Sequence, residues 1–314
     1  MALLSGKGSL RAVLLSNTNS GPAAGSTALD QARKRLGERL GRWQEITLRP
    51  GEDLLDLAHE AAATADVVLV AGGDGTVRAV AKALQNSGVP IALIPFGTVN
   101  VLARELGIPI DDPATAVDVA LDGVATPIDI GLCNGEPFLL VCSGGVDSAT
   151  VAQVNTDIKS AVGATAYAMA AVGALATFTP PRVRIRIDGQ ELPETDVFLF
   201  AVGNTSLYGG DLRLLPGASI YDGLLDVAVF LAPTLPTPVR NAAFLPQLAS
   251  VALGRHPEND TIHLYRGKEV IIESDKPIPL QMDGDLAGET PAKLTIAPGV
   301  LRVMTPETPP QPPT

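Results

Sequence analysis

At 314 residues the chain is about twice the ~150 residues of a common single domain, and 46% apolar with 18% charged residues is an aliphatic globular composition. Lys and Arg number 23 against 34 Asp and Glu, a net charge of −11, which argues against DNA or RNA partners and gives no net pull toward anionic lipid. Cys133 and Cys142 with three scattered histidines make neither a zinc pattern nor a disulfide framework, and a reducing cytoplasmic compartment is expected.

The N-terminus breaks after three apolar residues, so no signal-peptide core is expected there. Residues 11–16 predict a strand that ends in the polar stretch 17–21. Residues 29–43 have helical spacing, 45–48 read as a brief strand, and 53–64 return to helical spacing with Leu54, Leu57, Ala58 and Ala61 on one face. Residues 66–71 are a nearly unbroken aliphatic run, the pattern of a strand buried on both faces of a parallel sheet. That run stops at Gly72-Gly73-Asp74-Gly75-Thr76, and a helix should follow with Val77, Val80, Ala81 and Leu84 inward. Residues 91–95 predict the next strand, broken at Gly97-Thr98, and 99–106 a further helix stopped by Gly107. Two strand–glycine loop–helix units in tandem predict a doubly wound, Rossmann-like α/β domain.

Beyond about residue 127 the apolar runs shorten (138–142, 182–187, 197–202, 225–230, 261–264, 270–272) and are separated by Gly, Pro, Asp and Asn. Arg182-Val183-Arg184-Ile185-Arg186-Ile187 alternates with one wet and one buried face. This half predicts an antiparallel β-sandwich over 128–294, with 1–127 as the α/β domain, 295–306 rejoining it and a disordered tail from 307. The Ala-rich stretch 160–178 is too weakly apolar for a membrane span and reads as a helix, either packed in the core or lining a lipid groove.

The Gly72–Thr76 loop sits where a parallel strand gives way to a helix, the place where open α/β sheets bind ligands. Its glycines let backbone N–H groups approach an anion, and the helix start adds its positive end. Asp74 would repel a phosphate directly, so it is either a helix cap or the organiser of a cation and water network. Thr98 could donate to a phosphate and Asn100 orient the second loop, so two such loops on neighbouring strand ends point to a nucleotide. No GxxxxGK[ST] loop occurs.

With Val68-Leu69-Val70-Ala71-Gly72-Gly73-Asp74-Gly75-Thr76 and Ile94-Pro95-Phe96-Gly97-Thr98-Val99-Asn100, the chain resembles the diacylglycerol kinase catalytic-domain family. The resemblance continues through Gly203-Asn204, Tyr208-Gly209-Gly210, Asp222-Gly223-Leu224-Leu225-Asp226-Val227 and Met282-Asp283-Gly284-Asp285, in the family's order. It implies an ATP- and Mg²⁺-dependent lipid kinase with a nucleotide domain, a β-sandwich and an active site in the cleft between them. By likeness, ATP would be lined by Asn17 to Gly21, Thr47, Gly72, Gly73, Asp74, Gly75, Thr76, Arg78, Gly97, Thr98 and Asn100. Arg78 would pair with a phosphate or point to solvent. A structural Mg²⁺ would be held by Asp222 with the carbonyls of Ser219 and Leu224, where the residues alone read as a hairpin turn. Asp283 or Asp285 would take the proton of the lipid hydroxyl, the second standing where family members often carry Glu. Diacylglycerol or a similar neutral lipid is the implied acceptor, with transient contact at the inner membrane face, and a homodimer is one assembly the resemblance allows.

Three rival readings remain. Ser143-Gly144-Gly145-Val146-Asp147-Ser148 also matches the SGGxDS loop of ATP pyrophosphatases that adenylate their substrates. The GGDG loop is shared with NAD kinases, which phosphorylate a soluble acceptor. A non-catalytic lipid or nucleotide binder is the third.

Overall fold

The computed structural model describes residues 10–17, 25–148, 175 and 177–307. The chain forms two compact units, Met1–Ile130 with Pro298–Thr314, and Gly131–Ala297. Both changes of unit fall inside strands, β5 (Val124–Cys133) and β18 (Ala292–Thr305), so no linker marks them in the sequence.

In the first unit, β1 (Ala12–Ser16), β2 (Gln44–Thr47), β3 (Val67–Gly72) and β4 (Ile91–Pro95) alternate with α1 (Gly25–Arg39), α2 (Leu54–Thr64) and α3 (Asp74–Leu84). The order is β2-β1-β3-β4 and then β18, parallel throughout. Every residue of β1, β3 and β4 is buried, as unbroken aliphatic runs require when helices cover both faces. The chain leaves β1 toward β2 on one flank and returns to β3 on the other. The direction of winding therefore reverses between the C-terminal ends of β1 and β3, where such sheets bind ligands. Two short helices follow, α4 (Val101–Glu105) and α5 (Pro113–Asp122). The first starts two residues later than its spacing predicts, because Asn100 adopts a left-handed φ of 52° as its cap. The second was not anticipated, although Asp112 accepting from Thr115 N at 3.0 Å and Pro113 at its first position are ordinary start signals. It packs on α1 through Arg35–Asp118 at 2.9 Å and Arg39–Asp122 at 2.7 Å.

The second unit holds β6 (Glu136–Phe138), β7 (Val141–Gly145), β8 (Arg182–Ile187), β9 (Gln190–Glu191), β10 (Thr195–Gly203), β11 (Leu207–Tyr208), β12 (Leu212–Arg213) and β13 (Leu225–Leu231). After these come β14 (Ile262–Gly267), β15 (Glu269–Ser274), β16 (Pro279–Met282) and β17 (Asp285–Glu289). An antiparallel sheet runs β17-β16-β7-β10-β13-β14, and β8, β15 and the start of β18 form a second one. Phe138, Ile185, Phe200, Val227, Ile272, Leu280 and Leu294 pack together in one core. This is the expected sandwich, with β8 alternating exposed arginines and buried aliphatics as read from its sequence.

Two features correct the expectations. The sandwich unit carries helices α6 (Thr237–Ala242) and α7 (Phe244–Ala252), where the sequence reading had no helix beyond the Ala-rich stretch 160–178. The SGGxDS segment starts within β7, paired antiparallel to β10 and to β16, so it is no phosphate loop following a parallel strand, and the adenylating reading falls. The Ala-rich helix expected at 160–178 lies outside the described residues except at 175, 177 and 178, as do the tail beyond 307 and Gly21. Among the described residues no helix is long and apolar enough to cross a membrane.

Candidate active site

The chemistry-bearing residues gather in two clusters, one in each unit. In the first unit the two glycine loops touch through their backbones. A Cβ on Gly97 would lie 2.6 Å from the Gly73 Cα, and one on Gly73 would lie 3.1 Å from the Gly97 Cα. A side chain at 97 would drive the loops apart, and one at 73 would be tight against the facing backbone. Asn100 holds the second loop by accepting from Gly97 N at 2.9 Å and donating to Gly97 O at 2.7 Å.

Asp74, in the first turn of α3, reaches across to the other loop. Its carboxylate accepts from Val101 N at 3.1 Å and Leu102 N at 3.3 Å, which satisfies the first turn of α4. Asp74 is thus a cap, but of α4 and not of its own helix. Burial pushes its carboxyl above the ordinary range, while the backbone donors oppose that rise.

Asn17 follows β1 and is tied to the first loop, its Nδ2 donating to Thr76 Oγ1 at 3.0 Å and its N–H to Ala71 O at 3.0 Å. Thr76 is buried and its side chain covers Gly72, where a Cβ would lie 2.6 Å from the Thr76 Cβ. It braces the loop from within. Thr47 ends β2 beside Ser16, their hydroxyls 3.0 Å apart, and Ser16 donates to Glu45, itself paired with Arg33 at 2.7 Å. Ser16 was missed in the sequence, where nothing but its place at a strand end could have marked it. Gly75 and Thr98 are exposed and Arg78 is half-buried on α3.

In the second unit Asp283 has a left-handed φ of 51° and accepts three backbone N–H groups, from Leu139 at 2.8 Å, Leu140 at 2.9 Å and Val141 at 3.2 Å. It thereby spans the break between β6 and β7, which is why the apolar run 138–142 is not one strand. Asp285 is exposed at the start of β17. Gln281, on β16, is buried, accepts from Gly284 N at 2.8 Å and donates to Ser143 Oγ at 2.7 Å and Asp147 Oδ2 at 3.1 Å. Ser143 also donates to Asp147, and Tyr208 OH donates to Asp147 at 2.7 Å. Gln281 escaped sequence reasoning, and Asp147 entered it only through the adenylation motif.

The turn expected to hold Mg²⁺ has a different counter-ion. Asp222 accepts from Leu224 N at 3.1 Å and from Arg266 at 2.6 Å, and Arg266 also binds Asp226 at 3.0 Å and Gly217 O at 2.8 Å. The one carboxylate of the Ser219, Asp222 and Leu224 set is already paired with a guanidinium, which would repel a dication. As arranged, with the Asp222 carboxylate held by Arg266, these residues do not fit a divalent ion. Asp226 is buried, which raises its carboxyl pKa despite Arg266.

Residues 11–133 match the model of the diacylglycerol kinase catalytic domain, and residues 140–305 that of the YegS C-terminal NAD kinase beta sandwich-like domain. A diacylglycerol kinase of Mycobacterium tuberculosis is 32% identical over 301 residues, covering 93% of this chain and 94% of that protein. The crystal structure of a diacylglycerol kinase from Bacillus anthracis str. Sterne superposes with a TM-score of 0.76 at 24% identity, covering 94% of this chain and 96% of that one. An NAD kinase from Archaeoglobus fulgidus reaches 0.50 at 14% identity, covering 95% and 94%, which is a likeness of fold alone.

Proposed function

The chain belongs to the diacylglycerol kinase catalytic-domain family of lipid kinases, and from that premise we propose that it moves the γ-phosphoryl group of MgATP to a hydroxyl of diacylglycerol or a similar neutral lipid. The observation that carries the nucleotide half is the contact between Gly73, which follows β3 beside the reversal point of the parallel sheet, and Gly97, which follows the neighbouring strand β4. Two side-chain-free backbones there, with the start of α3 beside them, form a cradle for a polyphosphate. Asp74 holds that cradle in shape by capping α4, so its work is positional. Gly75 and Thr98, both exposed, are the donors offered to the phosphates, and Arg78 adds a charge nearby.

Of the two acidic candidates, Asp285 is assigned as the base. The Asp283 carboxylate accepts three backbone N–H groups and is a strut for the turn. Asp285, two residues on and exposed, is presented by that turn to take the proton of the attacking hydroxyl. Phosphoryl transfer asks little covalent work of a protein, so positioning and charge neutralisation dominate the rate. The magnesium that matters arrives with the nucleotide as part of the substrate.

Transfer of labelled phosphate from ATP to a total lipid extract, with identification of the labelled product, tests this reading. A phosphorylated neutral lipid is expected. Phosphate appearing on NAD would favour a soluble acceptor, and ATP binding with no transfer at all would leave a binding protein.

A further inference from the structure

Five of the nine large hydrophobic side chains exposed among the described residues lie within one short stretch: Leu235, Val239, Leu245, Leu248 and Leu253, the last 70% exposed. They belong to α6, α7 and their flanks. The inner face of α7 is firmly held. Phe244 stacks with Phe198 and Phe230 at ring distances of 5.1 and 6.1 Å, Val251 is buried, and Gln247 donates to Leu231 O at 2.9 Å. The outer face is apolar as well, and a rigid helix that is greasy on its wet side has a purpose other than packing.

The charges around it identify the partner. Between Val227 and Pro257 the chain carries no Asp or Glu, although it has 34 of them overall, and its only charged side chains there are Arg240 and Arg255. Arg213, exposed on β12, adds a third cation where that strand packs against α7. Exposed Asp211 and Glu258 flank the patch on or next to the elements packed against α7, but the patch itself, in a protein of net charge −11, is apolar with arginines as its own charged side chains. That is complementary to a bilayer with anionic headgroups, into which leucines sink while arginines meet the phosphates. With no described helix able to cross a membrane, such contact lies in the interface plane.

We infer that the outer face of α6 and α7 is the surface by which the protein docks on the bilayer carrying its acceptor. The inference rests on the lipid-kinase reading for its purpose, but not for its test. Purified full-length protein is sedimented with vesicles of phosphatidylcholine and phosphatidylglycerol, comparing wild type, the double variant Leu245→Asp/Leu248→Asp and the control Leu264→Asp, an exposed leucine on β14. The double variant should bind about ten-fold less, with wild-type melting behaviour, and the control should bind as wild type does. Kinase activity is read in parallel on diacylglycerol in the same vesicles and on a water-soluble short-chain diacylglycerol. The double variant should lose the first and keep the second.

Equal vesicle binding by the double variant and wild type overturns the docking surface, as does a wild type that ignores vesicles. A change of oligomeric state in the double variant, seen by light scattering, would make the patch a self-association face and overturn it too. Wild type that binds vesicles through the patch but phosphorylates neither diacylglycerol removes the acceptor assignment and leaves the docking surface standing.

Discussion

Asp283 and Asp285 stand two residues apart in one turn with different surroundings. The Asp283 carboxylate is fixed in place by three backbone N–H groups, whereas Asp285 is exposed at the start of β17. Asp283→Asn should therefore mainly lower stability, by about 1–3 kcal/mol in denaturant unfolding, because Asn keeps one acceptor oxygen where two are used and turns an NH2 donor toward the backbone N–H left over. Asp285→Asn should leave unfolding unchanged and reduce kcat by about 10²–10⁴-fold at unaltered KM for ATP. An Asp285→Asn enzyme with full turnover would return the base to another group. At Gly97 the argument is steric. Gly97→Ala places a methyl 2.6 Å from the Gly73 Cα and 2.7 Å from Asn100 Oδ1, so it should cost about 1–3 kcal/mol and weaken nucleotide binding together.

At the scale of elements, α4 is too short to be stable on its own and depends on what caps it. Asp74 supplies that cap from α3, which couples the two glycine loops into one piece. Asp74→Asn keeps one acceptor oxygen where two are used, so α4 should loosen and kcat/KM for ATP fall about 10–100-fold with the sheet intact. Hydrogen exchange at Val101 and Leu102 reads the same event directly; unchanged protection there would separate Asp74 from α4. The Asp222 turn makes a comparable point about charge. Arg266 neutralises Asp222 and the buried Asp226, so Arg266→Ala should destabilise the sandwich unit, while chelator should leave the melting temperature of the wild type unmoved. A melting point that drops in chelator would restore a metal to that turn.

For the whole molecule, acidity should act through His256. Its ring is fully buried, Nε2 lies 3.2 Å from Leu214 O, Nδ1 has no partner, and burial lowers its pKa. The unfolded chain then binds the proton more readily than the folded one, so stability is intact above about pH 6.5 and is lost as pH falls below that value toward the lower folded one. Urea midpoints between pH 8 and 5 should fall for wild type and fall less steeply for His256→Asn. Parallel curves would show that His256 does not set the slope.

Periodicity and turn chemistry determined much of this protein before any tertiary contact. The aliphatic run of β3 read as a strand buried on both faces and those of β1 and β4 as strands, and the glycines at 73 and 97 marked loops able to let an anion approach the backbone. The alternation of β8 settled one face of the sandwich in the same way. The order of the strands, and with it the reversal point between β1 and β3, was not legible, because hydrogen bonds between distant segments leave no trace in local spacing. Nor were the partners of polar groups: that Asp74 caps a helix 27 residues away, that Asp283 bridges β6 and β7, and that Arg266 reaches the Asp222 turn depend on which backbones folding brings within about 3 Å. Residue type states what a side chain can bond. Only the folded chain decides what it meets.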